Sequence, residues 1–262
     1  MAERALRLPP TPKLGRAVLV PSARVAAWGA GLAAAVAILY LIARGTSMFA
    51  MTNVQVLGAP PAVAAQARAA LRPIQGRSLL QLDGAAVVST LEGLPTVFRA
   101  SYDRDFPHTL RVRIVPEQPV AVLRRGTGSW LVSARGRVIA AVRRGARMSL
   151  PRIWLRRSAA VRVGDILHDA SGALASRVLR WFRGAGFGSR IAFVKASGGR
   201  IVVGLRGGLE LRLGPPLDVP LKLAVAKSIL PTLAAPAAGG PRYLDLAVPE
   251  RPVAGIDSQV EG

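Results

Sequence analysis

Chemistry needs side chains that can hold a proton, a metal or a nucleophile at workable spacing, and this chain of 262 residues offers few. Asp103 and Asp105 flank Arg104, the type of carboxylate pair that general acid–base work employs. They fall at a strand end among many arginines, so solvated ion pairs are the expected role. His108 and His168 lie far apart, with no HExxH-like spacing, and each is expected to be a surface turn residue. No Gly-rich phosphate loop, GxSxG elbow or Ser-x-x-Lys occurs. With no Cys, thiol nucleophiles, disulfides and Cys-ligated metals are excluded. The expectation is a non-enzymatic chain with no cofactor and no metal.

Charge is the next signal. The net charge is +22 and the pI about 11.9, which invites a nucleic-acid reading. Arg outnumbers Lys by 32 to 4, however, and the arginines spread along the chain without interleaved aromatics to stack bases. Nucleic acid is therefore not an expected partner; acidic protein segments or anionic envelope polymers suit the charge better.

The element that positions everything else is residues 25–43, VAAWGAGLAAAVAILYLIA, uncharged between Arg24 and Arg44. At roughly 1.5 Å per residue it nearly spans a hydrocarbon core of roughly 30 Å. Eight Ala and two Gly make it only moderately apolar, but its seven Val, Leu and Ile residues contribute about −3 kcal/mol to insertion. It is read as one transmembrane helix, bearing Val25, Trp28, Gly29, Ala33, Ala37, Tyr40 and Ala43. Gly29, Ala33 and Ala37 share a face on which two membrane helices can approach closely, although an Ala-rich stretch produces that spacing by chance equally well. Arg4, Arg7, Lys13, Arg16 and Arg24 before the span keep residues 1–24 cytoplasmic and place the rest outside. A cleaved signal peptide is the competing interpretation; its apolar core would be shorter, and Met48-Phe49-Ala50 is a poor cleavage site.

After a connector, residues 44–51, the pattern is β-α-α-β-β. Val54 and Val56 alternate in a first strand, and Val63, Ala67, Ala70 and Leu71 mark a helix. Val87, Val88 and Leu91 mark a second. Residues 97–102 and 110–115 alternate as two strands joined around Phe106-Pro107.

The stretch FPHTLRVRIVPEQPVAVL resembles the FtsQ/DivIB cell-division family through Phe106, Pro107, Thr109, Leu110, Val112, Ile114, Glu117, Pro119 and Ala121. Val54, Val56, Gly58 and the run Leu79, Leu80, Leu82, Asp83 are similar too. Further on, Gly208, Leu211, Leu213, Gly214 and Lys222 match that family's Gly-x-x-Leu-x-Leu segment and Lys-bearing helix, and Tyr243, Asp245 and Leu246 its Tyr-x-Asp-Leu strand. The resemblance implies a POTRA domain over residues 52–119.

Residues 120–248 read as a β-rich α+β domain, with a tail at 249–262. Short strands at 120–123, 130–133 and 137–141 precede a buried Ile153-Trp154-Leu155 strand. Trp130 is expected in the core. A helix at 173–183 turns Leu174, Val178, Trp181 and Phe182 to one side, and a three-strand meander follows. Asp218 is expected to cap a helix that carries Leu221, Val225 and Ile229 inward.

Residues 243–248, namely Tyr243, Leu244, Asp245, Leu246, Ala247 and Val248, are read as a last strand at a sheet rim, stopped by Pro249 and Pro252. An open rim is a template for strand addition or an ordinary edge. The resemblance implies the first use, with FtsB-like and FtsL-like bitopic division proteins as partners and other septal membrane proteins meeting the POTRA domain. Many relatives carry a basic residue where Ala247 stands, so backbone pairing with Leu246 and Val248, or Arg242 or Arg251, would have to compensate. The expectation is a membrane-embedded divisome scaffold at the septum, with its C-terminal part extracytoplasmic. The alternative is a POTRA-bearing secretion component that chaperones exported chains.

Overall fold

The computed structural model describes residues 23–45, 47–143, 149–187 and 190–256. The basic tail ahead of residue 23 and the last residues of the C-terminal tail lie outside them. The fold is mixed α+β. Helix α1, Ala23–Gly45, contains the whole apolar stretch. From Ala27 to Ile38 every side chain is exposed, with Trp28 at 83% and Leu32 at 70%, so this helix packs on no core of its own chain there. The side chains of Val25 and Ala43 lie outside the described residues.

A first unit follows with the expected element order. Strand β1, Asn53–Leu57, leads to α2, Pro61–Leu71, then α3, Gly84–Gly93, β2, Val97–Asp105, and β3, Thr109–Pro116. Pro61 at the first helical turn gives up no needed N–H. Asp83 caps α3 by accepting from Ala85 N (2.9 Å) and Ala86 N (3.3 Å). The sheet order is β1-β3-β2, β1 running parallel and β2 antiparallel to β3. Val112 and Ile114 face the helices and are fully buried, while Arg113 faces solvent, as strand alternation requires. Leu71, Leu79, Val87 and Leu91 close this core from the helical side.

A second unit is built on nine strands in the order β12-β11-β10-β9-β8-β7-β4-β5-β6. These are β4, Pro119–Arg125; β5, Gly128–Ser133; β6, Val138–Ala141; β7, Arg152–Trp154; β8, Ile191–Ser197; β9, Arg200–Leu205; β10, Glu210–Gly214; β11, Tyr243–Asp245; and β12, Val253–Gly255. Helices α4, Ala170–Gly184, and α5, Val219–Ile229, share one core with Leu123, Ile153, Val194, Val203, Leu211 and Leu244. Among the described residues, the stretch long and apolar enough to cross a membrane is Val219–Ala238, while the described apolar run inside α1, Ala27–Ile38, is shorter. Val219–Ala238 breaks into α5 and short 3-10 turns, and Val219, Leu223 and Ala226 pack on the core.

Several expectations are corrected here. The buried strand around Trp154 exposes that ring at 51%, because only Ile153 points toward α4. Trp181 is 41% exposed, while Val178, Leu179 and Phe182 carry the packing of α4. α4 starts at Ala170 rather than at residue 173, capped by Asp169, which accepts from Gly172 N at 2.7 Å. Asp218 makes no side-chain cap: its backbone is left-handed, at φ 51°. Leu221 is exposed, and α5 is rotated so that Lys222 enters the core; its Nζ donates to Leu213 O (2.7 Å) and Pro215 O (3.0 Å). Trp130 is half-buried against the core with the Arg125 guanidinium 5.2 Å from its ring.

Candidate functional site

The two carboxylates flanking Arg104 each have a partner. Asp105 is paired with Arg111 at 2.7 Å, and Asp103 Oδ1 accepts from Arg104 N at 2.9 Å. His108 sits in the β2–β3 turn with Nδ1 3.1 Å from Ala50 O, and His168 lies in the loop before α4, remote from it in sequence. Among the described residues no group of three His, Asp or Glu could hold a metal ion.

What remains is the rim of the large sheet, and here the terminal strand is shorter than its sequence suggested. β11 ends at Asp245, although Leu246 N still donates to Arg212 O at 2.7 Å. Asp245 Oδ1 then accepts from Ala247 N at 2.8 Å, a local turn that draws the chain out of the ladder. Arg251 N donates to Val248 O at 3.1 Å, and β12 returns antiparallel to β11 with Tyr243 opposite Gly255 and Asp245 opposite Val253. Residues 243–248 are therefore not the rim: Leu244 and Leu246 are buried, β11 is paired on both sides, and the outermost strand is β12. Val248 is 55% exposed but lies in the connecting loop. The signal was present in the sequence, since Pro249-Glu250-Arg251-Pro252 is turn chemistry between two apolar runs. Three residues are too few for a period to be read.

The opposite edge of the large sheet is covered, and one N–H on the β2 edge of the small sheet is taken. On β6, Val138 N donates to Asp165 O (2.9 Å) and Gly164 N to Val138 O (2.8 Å), so a loop occupies its outer side. On β2, Ala100 N is taken by Glu92 Oε1 at 3.1 Å. Among the described residues no strand pairs with the outer side of β12, where Val253 and Ala254 are exposed.

The sheet face opposite α4 and α5 adjoins this rim. Alternation places Phe193, Gly204, Glu210, Tyr243 and Gly255 in one cross-strand row, and Trp154, Lys195, Val202, Arg212, Asp245 and Val253 in the next. Two aromatic rings cover glycines: a Cβ on Gly204 would meet the Phe193 ring at 2.2 Å, and one on Gly255 the Tyr243 ring at 2.4 Å. Trp154 stacks edgewise on Phe193 at 5.6 Å, Lys195 Nζ lies 5.2 Å from Phe193, and the Arg212 guanidinium lies 3.8 Å from the Tyr243 ring. Arg124 and Arg152 extend the row of cations. Arg212 Nη2 and Glu210 Oε2 are buried without a hydrogen-bond partner. The arrangement places an open strand edge beside a cationic aromatic face.

No family model matches the chain, and no curated protein matches it.

Proposed function

We propose that the chain is a bitopic, non-enzymatic scaffold of the bacterial divisome, whose outer unit captures an extracytoplasmic segment of an FtsB-like protein, and through it an FtsL-like one. The observation that carries this reading is the unpaired outer side of β12 at the end of a sheet whose opposite edge is blocked. The reading is supported by the β-α-α-β-β order of the unit ahead of it, which is that of a POTRA domain, with Phe106-Pro107 in the β2–β3 turn, Glu117 between the units, and Tyr243 at the start of β11.

Magnitudes decide how the partner is held. A three-residue edge gives two or three backbone hydrogen bonds, roughly 1 kcal/mol each, whereas a micromolar complex needs about 8 kcal/mol. The surplus has to come from side chains beside the rim, and the aromatic, cationic face through Tyr243 and Arg212 is the available surface for an acidic segment. This reading moves the docking strand from residues 243–248 to Val253–Gly255 and leaves Tyr243 as a flanking contact. Arg242, exposed beside Gly255, and Arg251, exposed two residues before β12, are the cations that could take the place of the basic residue missing at Ala247.

Helix α1 serves as the anchor in this reading, with Trp28 and Tyr40 near its two ends, where amphipathic rings favour the membrane–water boundary. The test is a proline scan. Neighbouring N–H groups on a strand point to opposite sides, so either Val253→Pro or Ala254→Pro removes an outward donor. At least one variant should lose capture of the partner's extracytoplasmic segment while keeping the far-ultraviolet spectrum of the parent. Undiminished capture by both would refute strand addition at β12.

A further inference from the structure

The end of the first unit nearest the anchor carries apolar side chains that its own core does not need. Met48 is 65% exposed and Phe106, at the tip of the β2–β3 turn, is 49% exposed. The ring of Phe49 stands edge-on to Phe106 with centroids 5.8 Å apart. This tip is firmly built: His108 O accepts from Thr52 N (3.0 Å) and Asn53 N (3.2 Å), and Leu79 N donates to Phe49 O (2.8 Å). The Asp105 carboxylate beside it is paired with Arg111, and the exposed Arg77, whose O accepts from Met51 N, is a cation suited to anionic headgroups.

Topology fixes where the tip lies along the unit. Asn53 pairs with Thr109, so the entry of β1 and the β2–β3 turn share one end of the sheet, while β3 runs away from it toward the second unit. Only three residues separate Gly45, the last of α1, from Phe49. At about 3.8 Å per step, the Phe49 Cα lies within about 15 Å of the helix end, and the polar boundary layer of a bilayer is itself roughly 5–8 Å deep on each side.

We propose that Met48, Phe49 and Phe106 insert into the interfacial layer of the bilayer beside α1, so that the first unit rests on the lipid surface through its β2–β3 turn. The occupant of this apolar patch is the membrane itself. The inference depends on α1 spanning that membrane, and on nothing at β12. The contact gives the first unit a second point of attachment and sets which of its sides faces outward.

The chain has no Cys, so single cysteines introduced into the full-length protein can be spin-labelled at one position each. The protein is reconstituted in vesicles of phosphatidylethanolamine and phosphatidylglycerol, and collisions with oxygen, which concentrates in lipid, are compared with those of a water-soluble nickel chelate. Labels at Met48→Cys and Phe106→Cys should favour oxygen several-fold over a label at Ser101→Cys, which sits on β2 about 16 Å further along. Adding Phe106→Asp to the Met48→Cys protein should raise nickel access at position 48 several-fold. A label at Ala33→Cys reports on the anchor. If position 33 is lipid-exposed while 48 and 106 match 101, the interfacial contact is overturned and the anchor stands; if position 33 is also open to nickel, the membrane reading fails and the contact with it.

Discussion

The ring of Tyr243 lies over Gly255, so close that a Cβ on that glycine would meet it at 2.4 Å. The two residues face each other across β11 and β12, and Arg212 closes the other side of the ring at 3.8 Å. Gly255→Ala must displace the ring from the rim and break its stack with Arg212. The expected cost is about 1–2 kcal/mol, localised at β12. Partner capture should weaken by roughly tenfold while the midpoint of global unfolding moves little, since β12 is the outermost strand. Titration of the partner segment against both proteins checks this, and equal affinity would contradict the docking geometry.

Lys222 is only 3% exposed and holds two carbonyls, Leu213 O and Pro215 O, at the turn where β10 hands over to α5. Lys222→Met keeps the stem and removes both donors. The buried Leu213 carbonyl left without a partner, with the exposed Pro215 carbonyl open to water, should lower stability by about 1–2 kcal/mol. Urea unfolding of the solubilised chain measures it; an unchanged midpoint would mean that water replaces the ammonium.

Arg135 joins the two units. Its Nε donates to Glu117, and its guanidinium lies 4.8 Å from the Phe98 ring on β2. The side chains of the pair are unequally exposed, 38% for Arg135 and 4% for Glu117. Removing the arginine therefore strands a buried carboxylate, whereas removing the carboxylate leaves a cation that water can reach. Arg135→Ala should cost about 2 kcal/mol and Glu117→Gln about 1 kcal/mol. Distances between spin labels at Ser101→Cys and Ser197→Cys should broaden in the first variant, as the two sheets lose their fixed orientation.

Ala35 lies in the middle of α1. An arginine there costs about 2.5–3.5 kcal/mol at the centre of a bilayer, against the roughly −3 kcal/mol supplied by the seven aliphatic residues of the span. Ala35→Arg should shift the protein from the membrane pellet to the soluble or aggregated fraction. Retention in the membrane would show that α1 is not what holds it there.

The first unit was legible because its strands alternate cleanly and its breaks are strong. Val112 and Ile114 against Arg111 and Arg113, with Pro107 in the turn, leave one register that buries the right side. The order of strands in the large sheet could not be read, because β7 slips between β4 and β8 through pairings far apart in sequence. α5 keeps Val225 and Ile229 against the core as expected but turns Leu221 out, because the carbonyls of Leu213 and Pro215 draw Lys222 inward. The rim of the large sheet was read one strand too early. Leu244 and Leu246 looked like the apolar side of an edge, but they are core residues, and the strand that covers them is three residues long.

Just Glu117 and Gln118 separate β3 from β4, and both are held: Glu117 N donates to Thr96 O at 2.9 Å, and Arg183 donates to Gln118 Oε1 at 2.8 Å and Pro119 O at 2.9 Å. There is no slack to take up between the sheets. Under the proposed capture at β12, a pull on that strand would therefore turn both sheets together, as a lever turns about its base.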